Sequence, residues 1–229
     1  MHITTINLTR TAGLAAMVAG VLYILVQFIH PHEEPANVAT TGWAVTHVLT
    51  LLMAVLAMIG VSGMYLRQVK QTGLLGLVGV ILFAGNFLLI FAWTFVEAAV
   101  LPLLVNQVPL FVNDFIWLPA GGTPVGDVGG LKAVSVVAAV MYLLGGLLFG
   151  LAMFRGGVLA RWAALLLAAG AAVTVVAGMI PHSVARIFAI PVGVALAGLG
   201  HSLWRELGAG AGLPAAGTVG TRLDPAEAT

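Results

Sequence analysis

Six stretches of this chain, Thr11 to Ile29, Trp43 to Tyr65, Gly73 to Val100, Ala133 to Phe154, Trp162 to Ile180 and Ile187 to Leu203, hold only one Asp, Glu, Lys or Arg between them, Glu97. A hydrocarbon core about 30 Å thick is crossed by about 20 helical residues, so each stretch has the length of a membrane helix or comes close to it. The last is the shortest and carries Pro191, which a membrane helix tolerates when neighbouring groups satisfy the freed carbonyl. None shows the apolar and polar alternation of a membrane barrel strand. The whole chain agrees: 61% of its 229 residues are hydrophobic and 7% charged, where a soluble domain has about 25% charged. A water-soluble globule is excluded. The expected fold is all-α, a polytopic integral membrane bundle of six transmembrane helices. It forms one domain over residues 1–207, and the Gly-, Ala- and Pro-rich residues 208–229 read as a disordered tail.

Basic residues in short loops mark the cytoplasmic side. With the amino terminus inside, Arg10, Arg67, Lys70, Arg155, Arg161, Arg205 and Arg222 fall inside and only Lys132 and Arg186 outside. Both termini are therefore expected in the cytoplasm, in a multi-pass protein of the cytoplasmic membrane whose principal partner is the lipid bilayer. The first stretch reads as a retained helix, because it is longer than a signal-peptide core and no small-x-small cleavage site follows directly. With a formal charge of +1 and no basic face, nothing favours nucleic acid as a partner. The absence of cysteine excludes disulfides, thiolate metal sites and dithiol redox chemistry.

The connection over residues 101–130 is long, lies outside and is unusually apolar, with Phe111, Phe115, Ile116, Trp117 and Leu118, so it is expected to lie in the interface or to fold over the bundle mouth as a lid. A weak echo relates Arg10, Ala12, Leu14 and the ending Ile29-His30-Pro31-His32 to Arg161, Ala163, Leu165 and the ending Ile180-Pro181-His182, which suggests a parallel internal repeat. Gly146 and Gly150 form a GxxxG, a spacing that lets helix backbones approach, within one chain or between copies in a homo-oligomer or membrane complex.

Ionisable groups at membrane depth are costly unless paired, liganded or hydrated, so they mark the candidate site. Counted at about 1.5 Å per residue, His30, His32, His47, Glu97 and His182 share one depth near the outer face, on four different helices. Imidazoles with one carboxylate suit a transition metal such as Zn, Fe or Cu, although no tight ligand spacing such as HExxH is present. In that reading His30, His32, His47, Glu97 and His182 are the ligands and Glu97 is also the catalytic base; haem b would instead be held by His47 and His182. The expected function is a membrane oxidoreductase, or a metal-dependent hydrolase of a lipid-soluble substrate. Two alternatives stand beside it: a proton- or cation-coupled transporter in which Asn86, Thr94, Glu97 and His47 line a wet path, and a non-catalytic scaffold that uses its glycine faces.

Overall fold

The computed structural model describes residues 4–177 and 186–210, with side chains omitted for 175–177 and 206–210. Among them there is no strand, and the elements in chain order are α1 (Thr5–Ile29), a 3-10 turn (Pro35–Asn37), α2 (Thr41–Ala99), α3 (Leu101–Leu104), α4 (Pro109–Trp117), α5 (Leu131–Gly156), α6 (Arg161–Ala177), a second 3-10 turn (Arg186–Ala189) and α7 (Ile190–Gly210). Two of the starts are fixed by threonine caps. The Thr4 hydroxyl accepts from Asn7 N and the Thr40 hydroxyl from Trp43 N, satisfying backbone donors that a helix start leaves free.

At 59 residues, α2 would be close to 90 Å long if straight, far more than one crossing requires. It is broken at Gln68 (φ −121°, ψ 17°) and Gly73 (φ 53°, ψ −147°), the latter in a region that side chains with a Cβ rarely enter. The arms 41–67 and 74–99 fold back antiparallel, and the Trp43 indole near the start of one donates to the Glu97 carbonyl near the end of the other at 2.9 Å. At the bend the Gln68 carbonyl accepts from the Thr72 hydroxyl at 2.9 Å.

Glycines bring the remaining helices together. On α1 and α7 they recur seven residues apart and face each other in antiparallel order: a Cβ at Gly13 would lie 2.8 Å from Gly200 O, and one at Gly193 2.8 Å from Gly20 O. Gly60 and Gly63 of the first arm admit Ala16 and Ala12 of α1, whereas Gly79 of the second arm and Gly145 of α5 meet Phe149 and Phe83 backbone. Gly150 approaches Ala164 O of α6, and Gly146 meets Ala171. The GxxxG of α5 is thus covered within the chain. α6 in turn packs on α7, so the helices form a closed ring: α1, the two arms of α2, α5, α6, α7 and back to α1.

Four helical stretches, Thr5–Ile29, Thr41–Leu104, Leu131–Gly156 and Arg186–Arg205, are long and apolar enough to cross a membrane; α6 is shorter over its described apolar part, Arg161–Thr174. Large apolar side chains cover the outside of the bundle, among them Val21, Phe28, Leu74 and Ile81. A surface of this kind is compatible with lipid contact and marks a membrane protein. The two ends differ in charge. Arg10, which lies over the Trp204 ring, and Arg67, Lys70, Arg155, Arg161 and Arg205 occupy the end with the α2 bend. All five carboxylates with described side chains, Glu33, Glu34, Glu97, Asp114 and Asp127, are at the other.

Over that acidic end the connection from α2 to α5 folds as a cap. Val112, Phe115 and Ile116 of α4 bury themselves with Leu101, Val38 and Trp43, and Phe115 stacks on Trp93 with centroids 4.2 Å apart. Buried Asp114 accepts from Val125 N at 3.0 Å and Gly126 N at 2.7 Å, fastening the returning loop of the cap to α4. The helical turns in this connection were not legible as such in the sequence. At the other terminus α7 stays helical to Gly210, past the point at which the composition suggested a disordered tail, and residues 211–229 lie outside the described part.

Candidate functional site

The site is assembled where the first arm of α2 begins, the second ends and α1 stops. Trp43 and His47 are four residues apart and therefore share a helix face. Their rings stack with centroids 4.2 Å apart, and the His47 Nδ1 lies 2.7 Å from the Trp43 carbonyl. A carbonyl can only accept, so Nδ1 carries a proton and the lone pair of a neutral His47 is on Nε2. That nitrogen lies 3.3 Å from Glu97 Oε2, within ion-pair range, yet no hydrogen bond of acceptable geometry reaches it. His47 is 2% exposed. The Trp43 indole, bonded to the Glu97 backbone, holds the two arms in register so that the imidazole and the carboxylate meet.

His30 follows directly after α1 and meets this pair edge-on, with its ring centroid 5.1 Å from His47 and 5.9 Å from Trp43. Its Nδ1 has two competing partners, the Pro31 carbonyl at 2.8 Å, which needs a proton on Nδ1, and Arg186 Nη2 at 3.3 Å, which needs a lone pair there. Only one is satisfied at a time. Burial is the main cause that holds its pKa down to about 4, and the neighbouring Arg186 and His47 act in the same direction. Arg186 also donates to the His30 carbonyl at 3.3 Å and pairs with Glu33. The approach to α7 is thereby tied to the end of α1.

Of the residues expected at one depth, the structure brings together His30, His47 and Glu97. His32 does not join them: its side chain is exposed, and it contributes its carbonyl to the turn, accepting from Glu34 N at 2.9 Å and Asn37 Nδ2 at 3.0 Å. His182 lies outside the described residues. Among the described residues no three His, Cys, Asp or Glu side chains converge as a metal ligand set; those brought together are the His47 and Glu97 pair with His30 beside it. The haem alternative pairs His47 with His182 and so falls outside the described residues; within them the near neighbour of His47 Nε2 is Glu97 Oε2. Asn86 and Thr94 are both buried on the second arm, where Phe83 and Phe87 pack with Tyr23 and Tyr142 toward the bundle centre. The polar stripe ends in aromatic packing.

Trp43, Arg186 and Glu33 are the residues that sequence reasoning missed. The i, i+4 spacing of Trp43 and His47 was the available signal for the first, whereas Arg186 and Glu33 are 153 residues apart and meet only through the closed ring. No family model, no curated protein and no solved structure matches the chain. A helical bundle by itself does not define an activity, so the functional argument rests on this site.

Proposed function

We propose that the chain is a small proton-coupled membrane protein whose working group is one proton held between His47 and Glu97. The observation that carries this is the commitment of His47 Nδ1 to its own helix, 2.7 Å from Trp43 O, with Nε2 turned to Glu97 Oε2. A lone pair facing an ionised carboxylate is repulsive in a buried place. One added proton removes the conflict, giving either an imidazolium paired with a carboxylate or an imidazole accepting from a carboxylic acid. A proton placed there alters the contact that joins the α2 arms beneath the cap. By the basic-residue bias, the site faces the outside of a six-span protein in the cytoplasmic membrane, with both termini inside. The test is infrared difference spectroscopy of reconstituted protein between acidic and alkaline pH, together with proton flux into vesicles. A carboxyl signal and a pH-dependent flux, both lost in Glu97→Gln, are expected. An unchanged pH response in that variant, or no flux at all from the parent, removes the reading.

A second reading, a Zn, Fe or Cu ion ligated by His47 Nε2 and Glu97, is favoured by the same Nδ1 contact, since a metal-bound imidazole usually donates its other N–H to a carbonyl or carboxylate. Such an ion would support the oxidoreductase or hydrolase chemistry through a polarised substrate or an activated water. Elemental analysis of protein purified from metal-supplemented cells decides between the two: stoichiometric metal that is lost in His47→Asn favours the ion, and its absence favours the proton.

A further inference from the structure

The surface at the opposite end of α2 is shaped for a different ligand. Between the two arms, just before they join, runs an open lateral groove of about 300 Å³ lined by Ser62, Tyr65, Leu66, Val80, Ile81 and Ala84. Its lining is apolar apart from the hydroxyls of Ser62 and Tyr65, and it opens to the side of the bundle, where Leu66 and Ile81 are exposed. Tyr65 spans the arms, close enough that a Cβ on Gly76 would touch its ring at 3.4 Å. Beyond the groove the chain turns through the bend, which carries Arg67 and exposed Lys70, and Arg10, Arg155, Arg161 and Arg205 stand at the same end.

We propose that this groove is a binding site for an anionic phospholipid, with an acyl chain laid between the arms and the phosphate at the bend beside Lys70. Charge complementarity selects the occupant. A zwitterionic lipid fills the groove equally well but brings no net charge to the cations, whereas a basic residue near an anionic lipid surface gains an attraction that a neutral one lacks. The placement agrees as well: Lys70 lies four residues beyond Leu66, in the bend that follows the groove, so a phosphate at the bend places the first chain carbons near Leu66. This inference rests on the membrane reading and is independent of the proton at His47.

The experiment uses the full chain purified in mild detergent, exchanged with a mixture of phosphatidylglycerol and phosphatidylcholine of matched acyl chains, and analysed for retained lipid by native mass spectrometry. Preferential retention of phosphatidylglycerol is expected, falling by about fivefold in Lys70→Gln, the effect of one basic residue at an anionic surface. Ala84→Trp, which fills the groove from its far wall, is expected to lower retention of both lipids while leaving the helicity of the protein unchanged. Equal retention of the two lipids by the parent overturns the proposal, as does retention that neither variant alters. If Ala84→Trp lowers helicity, Ile81→Gln replaces it, and unchanged lipid retention in that variant counts against the groove. A flux or infrared failure at Glu97 leaves these outcomes untouched, so the two readings fail separately.

Discussion

Trp43 makes three contacts with two neighbours: its ring covers His47, its backbone carbonyl fixes the His47 tautomer, and its indole N–H reaches across to Glu97 O. Trp43→Phe keeps a ring for the stack but removes the donor and part of a buried ring system, and the unpaired carbonyl alone costs about 1–3 kcal/mol. Thermal unfolding in detergent is expected at a lower temperature than in the parent protein. His30 makes a prediction with a definite sign. Its pKa is about 4 in the fold against 6.5 for the free side chain, so between those values the unfolded chain binds more protons than the folded one. The stability that neutral His30 permits is complete above about pH 6.5 and is lost as pH falls toward about 4. Thermal midpoints measured across that window should fall with acid in the parent protein and fall less in His30→Asn; an identical slope would show that His30 is not the group responsible. At this scale the sequence was half legible. Counting rise per residue placed His30, His47 and Glu97 at one level, but depth says nothing about direction, and His32 at the same level turns outward because the turn Glu34 to Asn37 uses its carbonyl instead.

Among the elements, α1 and α7 depend most on what their glycines leave out. Gly20 touches Gly193 O so closely that even a methyl group must push the helices apart, and Ala197 N lies 2.7 Å from where it would stand. Gly20→Leu is therefore expected to destabilise the bundle by several kcal/mol, beyond the usual 1–3 kcal/mol of overpacking because backbone and not a flexible side chain is in the way. Gly42→Ala, where the nearest atom to a new Cβ is 3.7 Å away, serves as the control and should leave unfolding in detergent unchanged. Equal effects of the two changes would show that the α1 to α7 approach is looser than described. Glycine spacing was visible beforehand in the case of Gly146 and Gly150, but not the surface they face: GxxxG within a chain and between chains look alike, and only the contact with Ala164 and Ala168 of α6 assigns it. The bend of α2 was legible as a short polar connection, whereas the cap was read as an apolar loop because its helical turns, Leu101–Leu104 and Pro109–Trp117, are too short for a periodic pattern to emerge.

Seen whole, the molecule is a ring of helices with a cationic end, an acidic and capped end, and an apolar flank. The positions of the helices followed from the apolar stretches, since nothing but length and charge is needed to place a membrane helix, but the order of neighbours around the ring did not, because it is set by small-residue contacts that the apolar background hides. Orientation is tested on the chain as it stands, which has no cysteine to remove. Ala36→Cys, exposed near the cap, should react with an impermeant thiol reagent added to intact cells, and Lys70→Cys, exposed at the α2 bend, should react only after the membrane is opened. The reverse pattern would put the His47 site on the cytoplasmic side. The meeting of α1 with α7 also has a bearing on how the protein is made. α1 takes its main partner from α7, which begins only at Ile190, so the glycine face of α1 waits, uncovered, through the synthesis of everything between them. Assembly of this protein is thus a race in which an early helix must be kept from foreign partners until its own arrives, and a chain arrested before residue 190 is the form that the quality-control machinery of the cell will meet as an open ring.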